Sequence, residues 1–143
     1  MKYLSLLLFL SVFFSFNIYA STTDTSKAVP DTTITLTEDI SPAVNNAIKN
    51  GNAGNLATYF NTTIQISVPG KKGTFGKSQA EFIIKDFFSK YPPSSFTINN
   101  QGSSSSTSSY YIGTYVSGKK TFRTYYTIKK ISGKEVIHVL KFE

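Results

Sequence analysis

His138 is the only imidazole in the 143-residue chain, and there is no cysteine. A thiolate metal site, a disulfide framework and a cysteine nucleophile are therefore excluded by composition. One imidazole without clustered acids cannot supply the three or four protein ligands of a zinc-type centre, so neither a metal nor any other cofactor is expected. Serine is abundant, but no Ser-His-Asp order and no nucleophile elbow singles one serine out. The stretch Gly70-Lys71-Lys72-Gly73-Thr74-Phe75-Gly76-Lys77 is rich in glycine and lysine. It lacks P-loop spacing and does not run directly from a buried strand into a helix, so it reads as a basic hairpin.

The carboxylates of the folded part are Glu81, Asp86, Glu135 and Glu143. Glu81 fits a capping box with Ser78, in which the two side chains satisfy exposed N–H groups at a helix start. Asp86 stands between Lys85 and Lys90 on a helix and should face water. Glu135 falls opposite Lys130 beside a tight turn, a pair worth about half a kcal/mol. What remains as a binding constellation is His138 with Arg123, Tyr125 and Thr127 on one strand face, joined by Tyr110. A few convergent polar groups on a concave aromatic sheet are what a ligand pocket looks like. The simpler account of His138 is a strand histidine satisfied by Thr127.

These residues have to be positioned by strands and helices that the spacing predicts. Ser41-Pro42 opens a short helix carrying Val44, Ala47 and Ile48 on one face, with the serine hydroxyl as cap and Gly51 as stop. A second helix is expected over residues 52–60. Thr63 to Val68 alternates as a half-buried strand, and Pro69 to Gly73 turns. Ser78 to Tyr91 is the strongest helix, with Phe82, Ile83, Ile84, Phe87, Phe88 and Tyr91 forming a wide apolar stripe and Pro92-Pro93 ending it. Strands follow: 96–98, a low-complexity loop at Gly102 to Ser109, then 110–116, 121–131 and 135–142, the last three joined at Ser117-Gly118 and Ser132-Gly133.

Register arithmetic across the last turn pairs Ile128 with Ile137, Tyr126 with Val139, and Tyr125 with Leu140. One face then holds Tyr110, Ile112, Val116, Tyr125, Val136, His138, Leu140 and Phe142, with Arg123 and Thr127 among them. The other holds Tyr111, Tyr115, Phe122, Tyr126, Ile128, Ile137 and Val139. Both faces are apolar, whereas a sheet wet on one side alternates apolar with polar. Helices can cover one face; a partner subunit or a ligand has to cover the other. A bulge would move residues between faces without removing the surplus of aromatics.

Residues 1–20, MKYLSLLLFLSVFFSFNIYA, have the layout of a signal peptide cleaved after Ala20: Lys2, an apolar run from Leu4 to Phe16, and a small residue before a polar stretch. A spanning helix needs about 20 predominantly apolar residues, and Ser11, Ser15 and Asn17 interrupt this run. The protein is therefore expected to be exported, periplasmic or secreted, with no membrane association after cleavage. Residues 21–39 carry a net charge of −3 and read as a flexible leader. Residues 40–143 carry +9 and form a single domain. That charge suits phosphate or an acidic polysaccharide, but export and the lack of a glycine-aromatic RNA-binding consensus argue against nucleic acid.

The element order, two short helices, a strand, a long helix and a meander, resembles the nuclear transport factor 2-like superfamily. Several stretches resemble an exported, mainly Bacteroidetes family, domain of unknown function 4783. They are Ala47-Ile48-Lys49-Asn50-Gly51 with Leu56 and Phe60; Lys77-Ser78-Gln79-Ala80; Asp86-Phe87-Phe88; Pro93 with Phe96; Gln101-Gly102-Ser103; Tyr110-Tyr111-Ile112-Gly113; Phe122-Arg123; and Ile137 with Leu140. The resemblance covers about residues 40–143. It implies an α+β cone in which a curved antiparallel sheet packs on one long and two short N-terminal helices, and it assigns no activity. Isomerase-like members of that superfamily use a carboxylate base in an apolar pocket, a role for which only Asp86 or His138 with a tyrosine donor is available here.

The reading that follows is an exported non-catalytic binding module. Its ligand would be a small apolar molecule in an aromatic-lined cavity between the long helix and the curved sheet, touching Arg123, Tyr125, Tyr126, His138 and Tyr110. It would form a homodimer through a sheet face. The alternatives are a small isomerase or cyclase of the same fold, and a basic surface that holds acidic polysaccharide.

Overall fold

A computed structural model describes residues 38–143. The expected signal peptide and nearly all of the expected leader lie outside the described residues. The elements are α1 (Ser41–Lys49), α2 (Ala53–Thr58), β1 (Phe60–Val68), β2 (Lys71–Gly76), α3 (Lys77–Lys90), β3 (Ser95–Ser105), β4 (Ser108–Ser117), β5 (Lys120–Ile131) and β6 (Lys134–Phe142). The strands form one six-stranded sheet in the order β2-β1-β6-β5-β4-β3. Neighbouring strands are antiparallel except β1 and β6, which run parallel. The fold class is thus the expected mixed α+β arrangement of a curved sheet with helices, with one parallel junction where the returning meander docks on β1.

One face of the sheet makes the core. Ile64, Ile66, Tyr115, Tyr126, Ile137, Leu140 and Phe142 are fully buried on it. Against them pack Val44 and Ile48 of α1 and Ile84, Phe87 and Phe88 of α3, with Leu56 of α2 completing the layer. Apolar residues three and four apart put each helix's stripe on this side. Phe82 departs from the expected stripe of α3: it is 75% exposed.

The starts of α1 and α3 differ from expectation. Ile40 is the N-cap of α1, and the Ser41 N–H donates to Oδ1 of Asp39 at 2.9 Å, so the aspartate does the work expected of the serine hydroxyl. The capping box of α3 does not form. β2 runs into α3 through an extended Gly76, which is the N-cap and has no side-chain bond. Ser78 is therefore already helical, and the Glu81 carboxylate instead faces Gly54 of α2.

The strand pattern differs in three places, the first being that residues 71–73, expected within a turn, already belong to β2. Residues 102–109, expected as a loop, continue β3 and β4 as a hairpin in which Ser103 pairs with Ser109 and Gly102 with Tyr110. Between β5 and β6 the expected register holds from the turn to Ile128–Ile137 and then slips by one. Tyr126 opposes Leu140, not Val139, and Tyr125 opposes Lys141, not Leu140. His138 is the extra residue of a β-bulge. The slip turns Leu140 and Phe142 into the core and Val139 outward, which fills the interior with the two larger side chains.

Candidate functional site

The space between α3 and the sheet, where an aromatic-lined cavity was expected, is occupied by the protein's own rings. Phe87 sits at its centre, with ring centroids of Phe142 at 4.5 Å, Phe122 at 5.3 Å, Tyr91 at 5.4 Å, Tyr115 at 5.5 Å and Phe88 at 5.8 Å. The Phe142 ring is stacked and the others are tilted or edge-on, arrangements that add to simple burial because ring edges and faces carry opposite partial charge. Tyr115 donates its hydroxyl to the carbonyl of Tyr91.

Tyr126, expected as a ligand contact, belongs to this interior. Its ring stacks on Tyr111 at 4.6 Å and 7°. Its hydroxyl donates to Oδ1 of Asn45 on α1 at 2.6 Å. Burial, and to a smaller degree the neighbouring Tyr111 and Asp39, holds the phenol protonated far above its ordinary range. Tyr126 is thus a core residue with a satisfied polar tip.

The other expected site residues share the opposite, outward face. Tyr110 pairs with Thr127, Ile112 with Tyr125, and Thr114 with Arg123. Tyr110 lies over Gly102, where a β-carbon would come within 2.8 Å of the phenolic oxygen, so the glycine makes room for the ring. Lys141 reaches over the Tyr125 ring, its Nζ 5.7 Å from the centroid. The Arg123 side chain is exposed. Its backbone N–H and C=O exchange hydrogen bonds with Glu143 at 2.6 and 2.9 Å.

His138 projects from the bulge. Its Nδ1 and the Oγ1 of Thr127 are buried without a hydrogen-bond partner among the described residues, so the threonine does not satisfy the histidine as the simpler reading expected. Burial, followed by the charge of Lys129, lowers the histidine's pKa. The sign follows from linkage: a histidine held neutral in the folded state contributes stability above its unfolded pKa of about 6.5 and loses it as pH falls below that value. Urea midpoints from pH 8 down to pH 5 should therefore fall more in the parent protein than in His138→Gln; parallel curves would contradict this.

Asp86 and His138 do not converge. Asp86 is on α3, paired with Lys90 at 2.7 Å with both side chains more than 60% exposed, while His138 is on the far side of the sheet. A carboxylate base in an apolar pocket is therefore not built from Asp86. Among the described residues no three His, Cys, Asp or Glu side chains cluster as metal ligands.

A cleft opens on the inner face where the β3–β4 hairpin meets the end of β5 and β6. It measures about 550 Å³ and is lined by Ser103 to Ser109, Tyr111, Ile128, Lys130 and Glu135. The only signal for it in the sequence was the run of small hydroxyl side chains.

No curated protein matches the chain. Among solved structures, it is similar to a DUF4783 family protein from Bacteroides uniformis, with 28% identity over 73% of this chain and 96% of that one and a TM-score of 0.69. A DUF4783 family protein from Bacteroides fragilis shows 26% identity over 73% and 97% of the two chains, with a TM-score of 0.67. A designed nuclear transport factor 2-like protein with a long sheet shares the fold alone, at 18% identity over 73% and 96% of the chains and a TM-score of 0.54. The family description "Domain of unknown function (DUF4783)" matches residues 41–143, nearly the whole described part and most of the sequence, so the chain belongs to the DUF4783 family.

Proposed function

We infer that the protein is an exported, non-catalytic binding module that self-associates through the outward face of its sheet. The observation that carries this reading is the face itself. Tyr110, Ile112 and Val116 of β4, Tyr125 of β5, and Val136 and Val139 of β6 share that face, with Ile112 directly opposite Tyr125, each only half-exposed. The helices pack on the other side. An apolar face of this breadth is a site of association rather than an ordinary wet surface. The N-terminal sequence of residues 1–20 supports export.

The second copy is the occupant that fits best, because a twofold pairing lays the same apolar rows against each other and needs no other partner. Lys141 over Tyr125, exposed Arg123 and half-buried Lys129 add positive charge to the face, and its repulsion weakens the contact at low salt. Sedimentation equilibrium should show dimer formation, more complete at moderate than at low salt. Ile112→Lys or Tyr125→Lys places a charge in the middle of the face and should raise the dimer dissociation constant at least about tenfold, a change of about 1.4 kcal/mol. Both positions are half-exposed, so the variants should keep the parent's fold. A protein that stays monomeric at every concentration and salt would overturn the reading.

A further inference from the structure

We propose that His138 makes the self-association pH-sensitive: two copies pair while its imidazole is neutral and separate when it takes up a proton. This switch rests on the pairing inferred above, and its failure can be told apart from a failure of that pairing.

The bulge puts the imidazole on the face that pairs. His138 and Val139 together oppose Thr127, while Val136 opposes Lys129. The His138 Nδ1 is buried and has no hydrogen-bond partner among the described residues. The same holds for Oγ1 of Thr127, a residue only 7% exposed. A neutral imidazole can leave one ring nitrogen as a bare acceptor, but the charged form carries an N–H on both. Burying a charged N–H without an acceptor costs more than burying a neutral nitrogen. With Nδ1 already closed to water, the charged form depends on the water that the rest of the ring still meets. His138 is half-exposed, and a second copy laid on the face removes that water.

The neighbouring strands offer a new positive charge little compensation. β1, on one side of β6, contains no acidic or basic residue. The titratable side chains of β4 are Tyr110, Tyr111 and Tyr115. On β5 the outward groups are Arg123 and Lys129, with Tyr125 between them, and on β6 they are Lys134 and Lys141. The acid on this side is Glu143, five residues past His138, whose Oε1 accepts the Ser67 hydroxyl at 3.1 Å. Lys130 and Glu135 oppose each other on the inner face, where Glu135 Oε2 accepts the Ile40 N–H at 3.2 Å. Glu81 and Asp86 belong to α3, which packs on that inner face as well. Burial first, and then Lys129, already lowers the histidine's pKa in the single copy. Twofold pairing brings two such imidazoles and both sets of cations into one contact, where like charges repel. The pKa is thus lower still in the pair, so pairing releases protons. The dimer is favoured in full above the single copy's pKa and loses that advantage as pH falls through it.

His138 is the only imidazole in the chain, and histidine is the side chain whose ordinary pKa lies between pH 5 and 8, so the test is specific. Sedimentation equilibrium at fixed ionic strength should give a dimer dissociation constant at least about fivefold higher at pH 5.0 than at pH 7.5, with the far-UV circular dichroism unchanged. In His138→Gln the constant should be the same at both pH values; if that variant does not fold, His138→Leu should give the same result. His138→Lys, which carries the charge permanently, should stay monomeric at pH 7.5 at concentrations where the parent is paired. The imidazole C–H proton resonances should titrate at a lower pH in the paired protein than in dilute, unpaired protein. A dimer whose dissociation constant is equal at the two pH values overturns the switch and leaves the pairing standing, as does a parent-like pH dependence in His138→Gln. A protein that is monomeric at every concentration and pH removes the pairing, and the switch with it.

Discussion

Phe87→Ala should cost about 3–5 kcal/mol of folding stability, the range for emptying a buried phenylalanine site. Phe87 is 2% exposed, and its ring contacts Phe88, Tyr91, Tyr115, Phe122 and Phe142. Those partners come from α3 and its C-cap and from β4, β5 and β6, so no single backbone shift can close the space left behind. The cavity term therefore adds nearly in full to the lost transfer energy. For a domain of this size the thermal midpoint should fall by roughly 10 °C or more. Phe82→Ala on the same helix is the internal control. That ring is 75% exposed, and its loss should change stability by no more than about 0.5 kcal/mol. Denaturant melts of the two variants give the comparison, and equal losses would contradict the packing described.

Gly113→Ala should also destabilise, by about 2–3 kcal/mol, although it adds only one methyl group. Gly113 lies on the inner face of β4 next to the edge strand. A β-carbon there would come within 2.6 Å of the Thr97 carbonyl oxygen and 3.0 Å of the Phe96 ring. The ring can yield a little, but the carbonyl belongs to the β3 backbone and can move only if the ladder opens. Gly54→Ala should act in the opposite direction. Its β-carbon would make only ordinary contacts, 3.7 Å from the Glu81 carboxylate, and alanine in a helix is favoured over glycine by about 0.5–1 kcal/mol. Opposite signs for two Gly→Ala changes in urea titrations would establish that local space, not glycine content, decides. A neutral Gly113→Ala would contradict the close approach of β3 and β4.

The elements most legible in the sequence were those whose signals agree. The Phe-rich period of α3 with Pro92-Pro93 behind it, and the Ser-Gly turns at 117–118 and 132–133, leave little freedom. The apolar character of both sheet faces was also readable. The bulge was not, because Val136, Ile137, His138, Val139 and Leu140 offer an almost unbroken apolar run in which either parity buries something. Only the three-dimensional competition for interior volume favours Leu140 and Phe142 over Val139. The serine hairpin was hidden for a different reason. Serine has little intrinsic preference for strands, and its extended form here is imposed by pairing with β4.

Of the expected site residues, Arg123, Tyr125, Tyr110 and His138 do share one face, but that face is outward, whereas Tyr126 is in the core on the other side. The slip at His138 is what separates the two faces into a filled interior and an apolar exterior. The expected cavity rests on a few convergent polar groups and a sheet apolar on both faces, and composition cannot tell whether rings surround a space or fill it. Phe87 fills it.

Methyl protection in solution tests most directly the proposed cover of the outward sheet face by a second copy. With a soluble paramagnetic agent added, the methyl groups of Ile112, Val116, Val136 and Val139 should become more protected as protein concentration rises, while exposed Ile131 stays accessible throughout. In Tyr125→Lys the protection should disappear at the same concentrations. If the four outward methyl groups remain as accessible as Ile131 at every concentration, the face is a free surface and the account of self-association fails.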